Sequence, residues 1–357
     1  MAVYTKLTFT DIAQHLKQFS LGELVGFKEI IEGIDNSNFI LETKKDSKIN
    51  KFILTIFESR INKDQLPFFI NFKSHLTQHN ISCPQPIANN IGDTINEIKG
   101  KKSVIVNFLC GKSLAPNIDG YYDNITSTHC FEVGKVLAQM HLAAHDFTMS
   151  RPNDLGVTGW KNLFAKFEHM LNPPSPETSS LSSLKPSGFE DLPQQERSSA
   201  TTSLRMTNIK QEISTTLEFL QKSWQHDLPS AAAHLDLFPD NVFFAENSKL
   251  SGVIDFYFSA NDLLIYDFAI IVNAWCFDAN NDFDTNKYNA MLQGYESVRK
   301  FSNSEKDFLK IALIGAAMRF LLTRLHDMFF TPKNSLVKIK NPQEYLMKMK
   351  YFKDEVF

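Results

Sequence analysis

The chain has 357 residues, 43% of them apolar and 22% charged, and a net charge of −3. That length is enough for two regions with a core each, and the near-neutral balance excludes the basic excess that nucleic acid or an anionic membrane selects. Cys83, Cys110, Cys130 and Cys276 form no CxxC pair and no metal spacing, and so read as reduced thiols. No basic stretch followed by an apolar run opens the sequence, and the most apolar segment, residues 311–318, is too short to span a bilayer. The expectation is a soluble, cytoplasmic protein.

Residues 10–19 read as a short helix with Ile12, Leu16 and Phe19 on one face. Strand-like runs follow at 28–34, 38–43 and 52–57, separated by turn residues at 33–37 and 44–50, which describes an antiparallel sheet. Residues 67–79 form a helix with Phe68, Phe69, Phe72 and Leu76 on one side, stopped by Cys83-Pro84-Gln85-Pro86, and 103–109 form a further strand. After Gly111 the character changes. Residues 128–145 carry an apolar helical stripe through Val133, Val136, Leu137, Met140 and Ala144, and more helices are expected near 209–225 and 305–330. Residues 172–203 are dense in Pro and Ser and read as a flexible insertion, or alternatively a docking segment. The expected class is α+β, with a sheet-rich region over 1–110 and a larger, mainly helical region over 111–357.

The chemistry centres on His234-Leu235-Asp236-Leu237-Phe238-Pro239-Asp240-Asn241, with Asp255 in Ile254-Asp255-Phe256 further on. Phosphoryl transfer needs these residue types at this spacing. An Asp orients the attacking hydroxyl and accepts its proton, while an Asn and a second Asp hold Mg²⁺ on the phosphates of ATP. Hard oxygen ligands suit that ion. Residues 242–244 and 253–254 are β-type runs that would fix both metal ligands on a hairpin. Asp and Asn are also common in turns, so the HxDxxxxN match alone is weak; the second Asp at hairpin distance gives it weight. A small-residue turn containing Gly33, Asp35, Asn36 and Ser37 lies between two early strands, where backbone N–H groups can cover phosphates, although any hairpin could read this way.

These motifs carry a family resemblance. EGIDNSNF at 32–39, LPFF at 66–69, SCPQPI at 82–87, HLDLFPDNVFF at 234–244, SGVIDFYFSANDLLIYDFAI at 251–270, NAWCF at 273–277 and RFLLTRLHD at 319–327 resemble the homoserine-kinase branch of the aminoglycoside phosphotransferase and choline kinase class. The likeness spans essentially the whole chain except 172–203. It implies a protein-kinase-like two-lobe fold that uses ATP and Mg²⁺ to phosphorylate the side-chain hydroxyl of L-homoserine, a step of threonine biosynthesis. Asp236 matches the catalytic Asp, Asn241 and Asp255 match the metal ligands, and Asn107, Phe108 and Leu109 match the hinge that meets adenine. Leu235 stands where the family has a small residue. Thr55 stands where kinase-like proteins place a strand lysine or arginine, and the helix at 67–79 has no acid to pair with one. Arg60, or Lys63 beyond it, is then the expected phosphate cation, unless both are solvated surface charges.

An amino-acid substrate calls for an acid and a base around it. Asp267 is the candidate ammonium partner, or else a helix cap. Arg319 or Arg324 would grip the carboxylate. Five residues apart on a helix, they do not share a face. Tyr257, Asn273 and Trp275 would shape the pocket, unless Trp275 is core. His141 and His145, at i and i+4, read as helix surface or core rather than as metal ligands. A monomer or small homo-oligomer is expected. The alternatives are a same-fold kinase of choline, an aminoglycoside or a sugar, and a nucleotide-binding relative without catalysis.

Overall fold

The computed structural model describes residues 5–30, 36–58, 62–114, 116–117, 122, 124–171, 194–332 and 339–355. In chain order the elements are α1 (Phe9–Leu16), β1 (Glu23–Ile30), β2 (Asn36–Lys45), β3 (Lys48–Phe57), α2 (Leu66–Gln78), β4 (Asn96–Ile98), β5 (Lys101–Asn107), β6 (Lys112–Ser113), α3 (Ser127–Ala143), α4 (Val157–Ala165), α5 (Gln194–Ser223), β7 (Ser230–Ala233), β8 (Val242–Phe244), β9 (Leu250–Val253), β10 (Ala260–Leu263), α6 (Leu264–Trp275), α7 (Thr285–Glu296), α8 (Asn303–Phe330) and α9 (Pro342–Asp354). An antiparallel sheet at the N-terminal end is thus followed by a mainly helical C-terminal part, as the hydrophobic periodicity predicts.

The main sheet runs β1-β2-β3-β5-β4 with antiparallel neighbours. β2 and β3 are longer than their apolar runs suggest, because only Asp46 and Ser47 turn the chain, with φ of 48° and 64°. Two successive left-handed residues form the hairpin turn whose twist matches that of the strands, and a short polar side chain tolerates that backbone. One sheet face is covered by α1, which is fixed at its start by a reciprocal cap: the Thr8 hydroxyl accepts from the Asp11 N–H, and the Asp11 carboxylate accepts from the Thr8 N–H. Ile12 and Leu16 of α1 then pack into a buried cluster with Phe39, Leu41, Leu54, Ile56 and Ile105.

The chain divides into two compact units, Met1–Asn153 with Asp227–Leu309, and Asp154–His226 with Lys310–Phe357. In the first unit α3 and α7 approach until backbone meets backbone. A Cβ on Gly134 would come 2.1 Å from the Met291 carbonyl oxygen, and one on Gly294 would come 2.0 Å from that of Phe131. The second unit is helical. Trp160 of α4 meets Trp224 edge-on at 5.2 Å. Glu344 of α9 is held by Arg324 of α8 at 2.5 Å and by Lys348 at 2.6 Å. α5 begins at Gln194, inside the stretch read as an insertion, and residues 172–193 lie outside the described residues. From Gln194 the Pro residues cease and Gln, Glu, Arg and Ala enter, which are helix formers.

Candidate active site

The expected hairpin forms, and it sets the site. Val242 of β8 pairs with Val253 of β9, so Asn241, at the start of β8, and Asp255, just past β9, leave the same end of the ribbon. The Ile254 N–H donates to the Asn241 carbonyl at 2.9 Å, tying the two metal-ligand candidates backbone to backbone. Asp236 is bound to the same group: the Asn241 side-chain amide donates to the Asp236 carbonyl at 2.8 Å and lies 3.4 Å from its Oδ2. With its NH₂ turned to Asp236, Asn241 keeps its amide oxygen as the one atom this candidate could offer a cation. Asp236, Asn241 and Asp255 are therefore one constellation.

His234 joins the loop to the hairpin. Its Nε2 lies 2.9 Å from the Ile254 carbonyl oxygen, while its Nδ1 accepts the Asp236 N–H at 3.2 Å. A ring nitrogen facing a carbonyl must carry the proton, so this is the neutral Nε2–H form. Leu235 is buried with φ of +61°, and Asp255 has φ of +63°. Non-glycine residues occupy that region at a cost of about 1–3 kcal/mol, and such strain collects at functional sites. A small residue between His and Asp would fit the backbone more easily; here the buried Leu235 side chain and its N–H bond to Asp267 hold the conformation.

Asp267 occupies a different place from that of an ammonium partner. It is fully buried in the first turn of α6. Its oxygens accept the His234 N–H at 2.9 Å and the Leu235 N–H at 2.8 Å, and Oδ2 lies 3.1 Å from His141 Nε2. Burial works to raise the Asp267 carboxyl; the His141 hydrogen bond and charge, His234 and the Leu235 N–H outweigh it and hold the group below the usual carboxylate range. His141, which is buried, is fixed in turn by the Tyr295 hydroxyl 2.7 Å from its Nδ1. Trp275 is also fully buried and donates from Nε1 to the Leu237 carbonyl at 2.8 Å, and Asn273 is buried in α6, donating to the Ala269 carbonyl. Asp267 and Trp275 thus hold the Asp236 loop from α6, while Asn273 bonds within its own helix. Their sequence signal, three polar or aromatic residues spaced along one very apolar helix, is equally that of a core helix.

The hinge candidates follow β5. The Asn107 side-chain oxygen accepts from the Gln85 N–H, Phe108 is exposed, and Leu109 packs on Gly252 of β9, where an added Cβ would lie 2.6 Å from Leu109 Cδ1. The Ser251 hydroxyl donates to the Cys110 carbonyl at 2.7 Å, so the segment after β5 is fastened to the hairpin flanked by Asn241 and Asp255. Of the turn candidates, Ser37 is buried. Its hydroxyl donates to Glu58 at 2.6 Å and accepts the Thr5 N–H at 3.0 Å, and Lys101 pairs with the same carboxylate. Asn36 is buried beside it; Gly33, Asp35 and Arg60 lie outside the described residues. Arg319 is buried in α8 of the second unit, its guanidinium 4.7 Å from the Phe320 ring.

Thr55 donates from its hydroxyl to Asn38 at 2.8 Å and also bonds the Tyr257 side chain. Tyr257 lies edge-on between Phe57 and Phe69, and burial, aided by the Asp255 charge, pushes its phenol well up. Over this ring, 5.9 Å from its centroid, lies the ammonium of Lys73. Lys73 is buried in α2; burial pushes its pKa down to about 8, against the opposing pull of Cys83 and Asp255. The sequence marks this cation only weakly. Its signal is position, because Lys73 falls at i+7 from Leu66, on the stripe of Phe69, Ile70 and Leu76.

Residues 26–301 match the Phosphotransferase enzyme family. The chain belongs to that family. Among its relatives, a homoserine kinase of Xanthobacter autotrophicus is 40% identical over 351 residues, covering 98% of this chain and 96% of the relative. One of Bartonella tribocorum is 40% identical over 353 residues, covering 99% and 97%. Solved structures agree in fold: spectinomycin phosphotransferase in complex with ADP and spectinomycin, at TM-score 0.64 and 14% identity over 98% of this chain and 95% of that one, and choline kinase from Cryptosporidium parvum, at 0.58 and 13% over 97% and 94%.

Proposed function

We propose that this phosphotransferase moves the γ-phosphoryl group of ATP to the side-chain hydroxyl of L-homoserine, giving O-phospho-L-homoserine and ADP, the phosphorylation step of threonine biosynthesis. One observation carries the reaction type: Asp236, Asn241 and Asp255 are held together through the Ile254–Asn241 and Asn241–Asp236 hydrogen bonds. Full-length relatives called homoserine kinases at 38–40% identity support the acceptor over choline, an aminoglycoside or a sugar.

The hydroxyl oxygen of the acceptor forms the new bond to Pγ, the bond from Pγ to the ADP oxygen breaks, and Asp236 receives the hydroxyl proton. Asn241 and Asp255 are an all-oxygen donor pair, which suits Mg²⁺; the ion would neutralise charge on the phosphates. The backbone after Asn107 receives the adenine. Asp267, His141 and Trp275 position the Asp236 loop, and Lys73 holds Asp255 and Tyr257 in place from α2, partly replacing the charge that Thr55 does not bring. Tyr257 is the proposed pocket wall.

ADP release measured with ATP, Mg²⁺ and a panel of homoserine, choline, serine and an aminoglycoside tests this reading. Turnover is expected with homoserine. Turnover with another alcohol and none with homoserine would refute the acceptor and keep the reaction; turnover with no alcohol at all would refute both.

A further inference from the structure

A second cluster of ligand-type side chains lies away from the Asp236 loop. His75 sits in the last turn of α2, His79 caps that helix, and Asp146 ends the short 3₁₀ turn Ala144–Asp146 that follows α3. At i and i+4 the two imidazoles share one helix face. His75 Nε2 lies 3.0 Å and His79 Nε2 lies 3.8 Å from the same Asp146 oxygen, and the three donor atoms all fall within 4.8 Å of one another. Bonds of about 2.0–2.1 Å in a tetrahedron place neighbouring donors about 3.4 Å apart. The two spacings to the Asp146 oxygen bracket that value.

The surroundings point the same way. His79 Nδ1 donates to the His75 carbonyl at 3.0 Å, which leaves the Nε2 lone pair facing Asp146. A ligating imidazole is oriented by just such a bond from its other nitrogen. His75 Nε2 also lies 2.7 Å from the Ala143 carbonyl oxygen, so in the ion-free protein this nitrogen carries the ring proton. An ion takes the place of that proton, which moves to Nδ1. Phe147 packs against His75 at 5.2 Å and Phe72 at 5.1 Å, giving the pair a rigid backing. His79 and Asp146 are exposed, which provides a path for entry and room for a water as fourth ligand.

We propose that His75, His79 and Asp146 bind a zinc-class divalent ion, which clamps the C-terminal end of α2 to the turn after α3. Two imidazoles and one carboxylate select Zn²⁺, Cu²⁺ or Ni²⁺ over Mg²⁺, so this site is chemically distinct from the oxygen-only pair Asn241 and Asp255. The histidine pair that sequence spacing brings forward, His141 and His145, cannot serve, because His141 is buried between Asp267 and Tyr295.

The test is a Zn²⁺ titration by calorimetry, with thermal unfolding in parallel, on the metal-stripped full chain in millimolar Mg²⁺. A Cys110→Ser background removes the exposed thiol as a rival ligand. One equivalent should bind and raise Tm. His79→Ala and, separately, Asp146→Asn should weaken binding about tenfold or more and abolish the Tm rise. No binding, unchanged affinity in both variants, or displacement by Mg²⁺ would overturn the proposal.

Discussion

The Asp267 carboxylate accepts the backbone N–H of His234 at 2.9 Å, so the first turn of α6 grips the chain two residues before Asp236. A second bond, from the Leu235 N–H at 2.8 Å, holds that residue in its left-handed conformation. Removing the charge from Asp267 leaves His141 and two buried N–H groups with a weaker acceptor. Breaking a buried network of this kind costs about 3–5 kcal/mol. Asp267→Asn is expected to lower the urea midpoint by a corresponding amount and to reduce kcat while leaving KM for ATP within a few-fold. Unchanged stability would contradict the bracing role.

The same group sets an acid limit. Because the folded Asp267 is held below its ordinary range, its contribution is present above the unfolded carboxyl pKa and is lost as pH falls through the lower folded value. Unfolding followed from pH 6 downward should show the wild type losing stability more steeply below pH 4 than Asp267→Asn. Parallel curves would assign the acid transition to other carboxylates.

Lys73 gives a slope of the same sign in the alkaline range. Its ammonium is pushed down to about 8 by burial, while the unfolded side chain titrates near 10.5. Between these values the unfolded chain holds the proton and the folded protein does not, so stability rises with pH there. The shift corresponds to about 3 kcal/mol, present as a penalty at neutral pH. Lys73→Met, which keeps the volume and removes the charge, should therefore be more stable than wild type at pH 7, with the gap closing toward pH 10. The same variant should turn over more slowly if Lys73 positions Asp255. A less stable variant would mean that the ammonium is a net stabiliser.

The helix pair behind the site makes a steric prediction. A methyl on Gly134 or Gly294 meets a carbonyl oxygen of the partner helix at about 2 Å, and backbone cannot move aside as a side-chain tip can. Gly134→Ala and Gly294→Ala should each cost about 1–3 kcal/mol, the usual range for overpacking. Thermal unfolding reads this directly; a loss below about 0.5 kcal/mol in both would show that α3 and α7 can separate freely.

What could be read in the sequence was local. Asp236, Asn241 and Asp255 lie within one loop and one hairpin, and their spacing alone brings them together. The alternation in β2 and β3 and the stripe of α3 announced their elements, although the two-residue turn at Asp46-Ser47 lengthened both strands beyond the apolar runs. What spacing cannot give is which way a polar group on a buried helix faces. Asp267, Asn273 and Trp275 sit among apolar neighbours in α6, and the loop partners of Asp267 and Trp275 lie tens of residues away in the sequence. Lys73 was hidden for a related reason: a lysine in an amphipathic helix usually faces water, and only its register with Leu66 and Leu76 shows that this one does not.

In the proposed reaction Asp236 takes the acceptor proton. Steady-state ADP release by Asp236→Asn with homoserine, set beside ATP affinity from calorimetry on the same protein, tests it most directly. A fall in kcat of about 10²–10⁴-fold is expected, with ATP affinity within a few-fold of wild type. Near-wild-type turnover in a folded Asp236→Asn protein would contradict it.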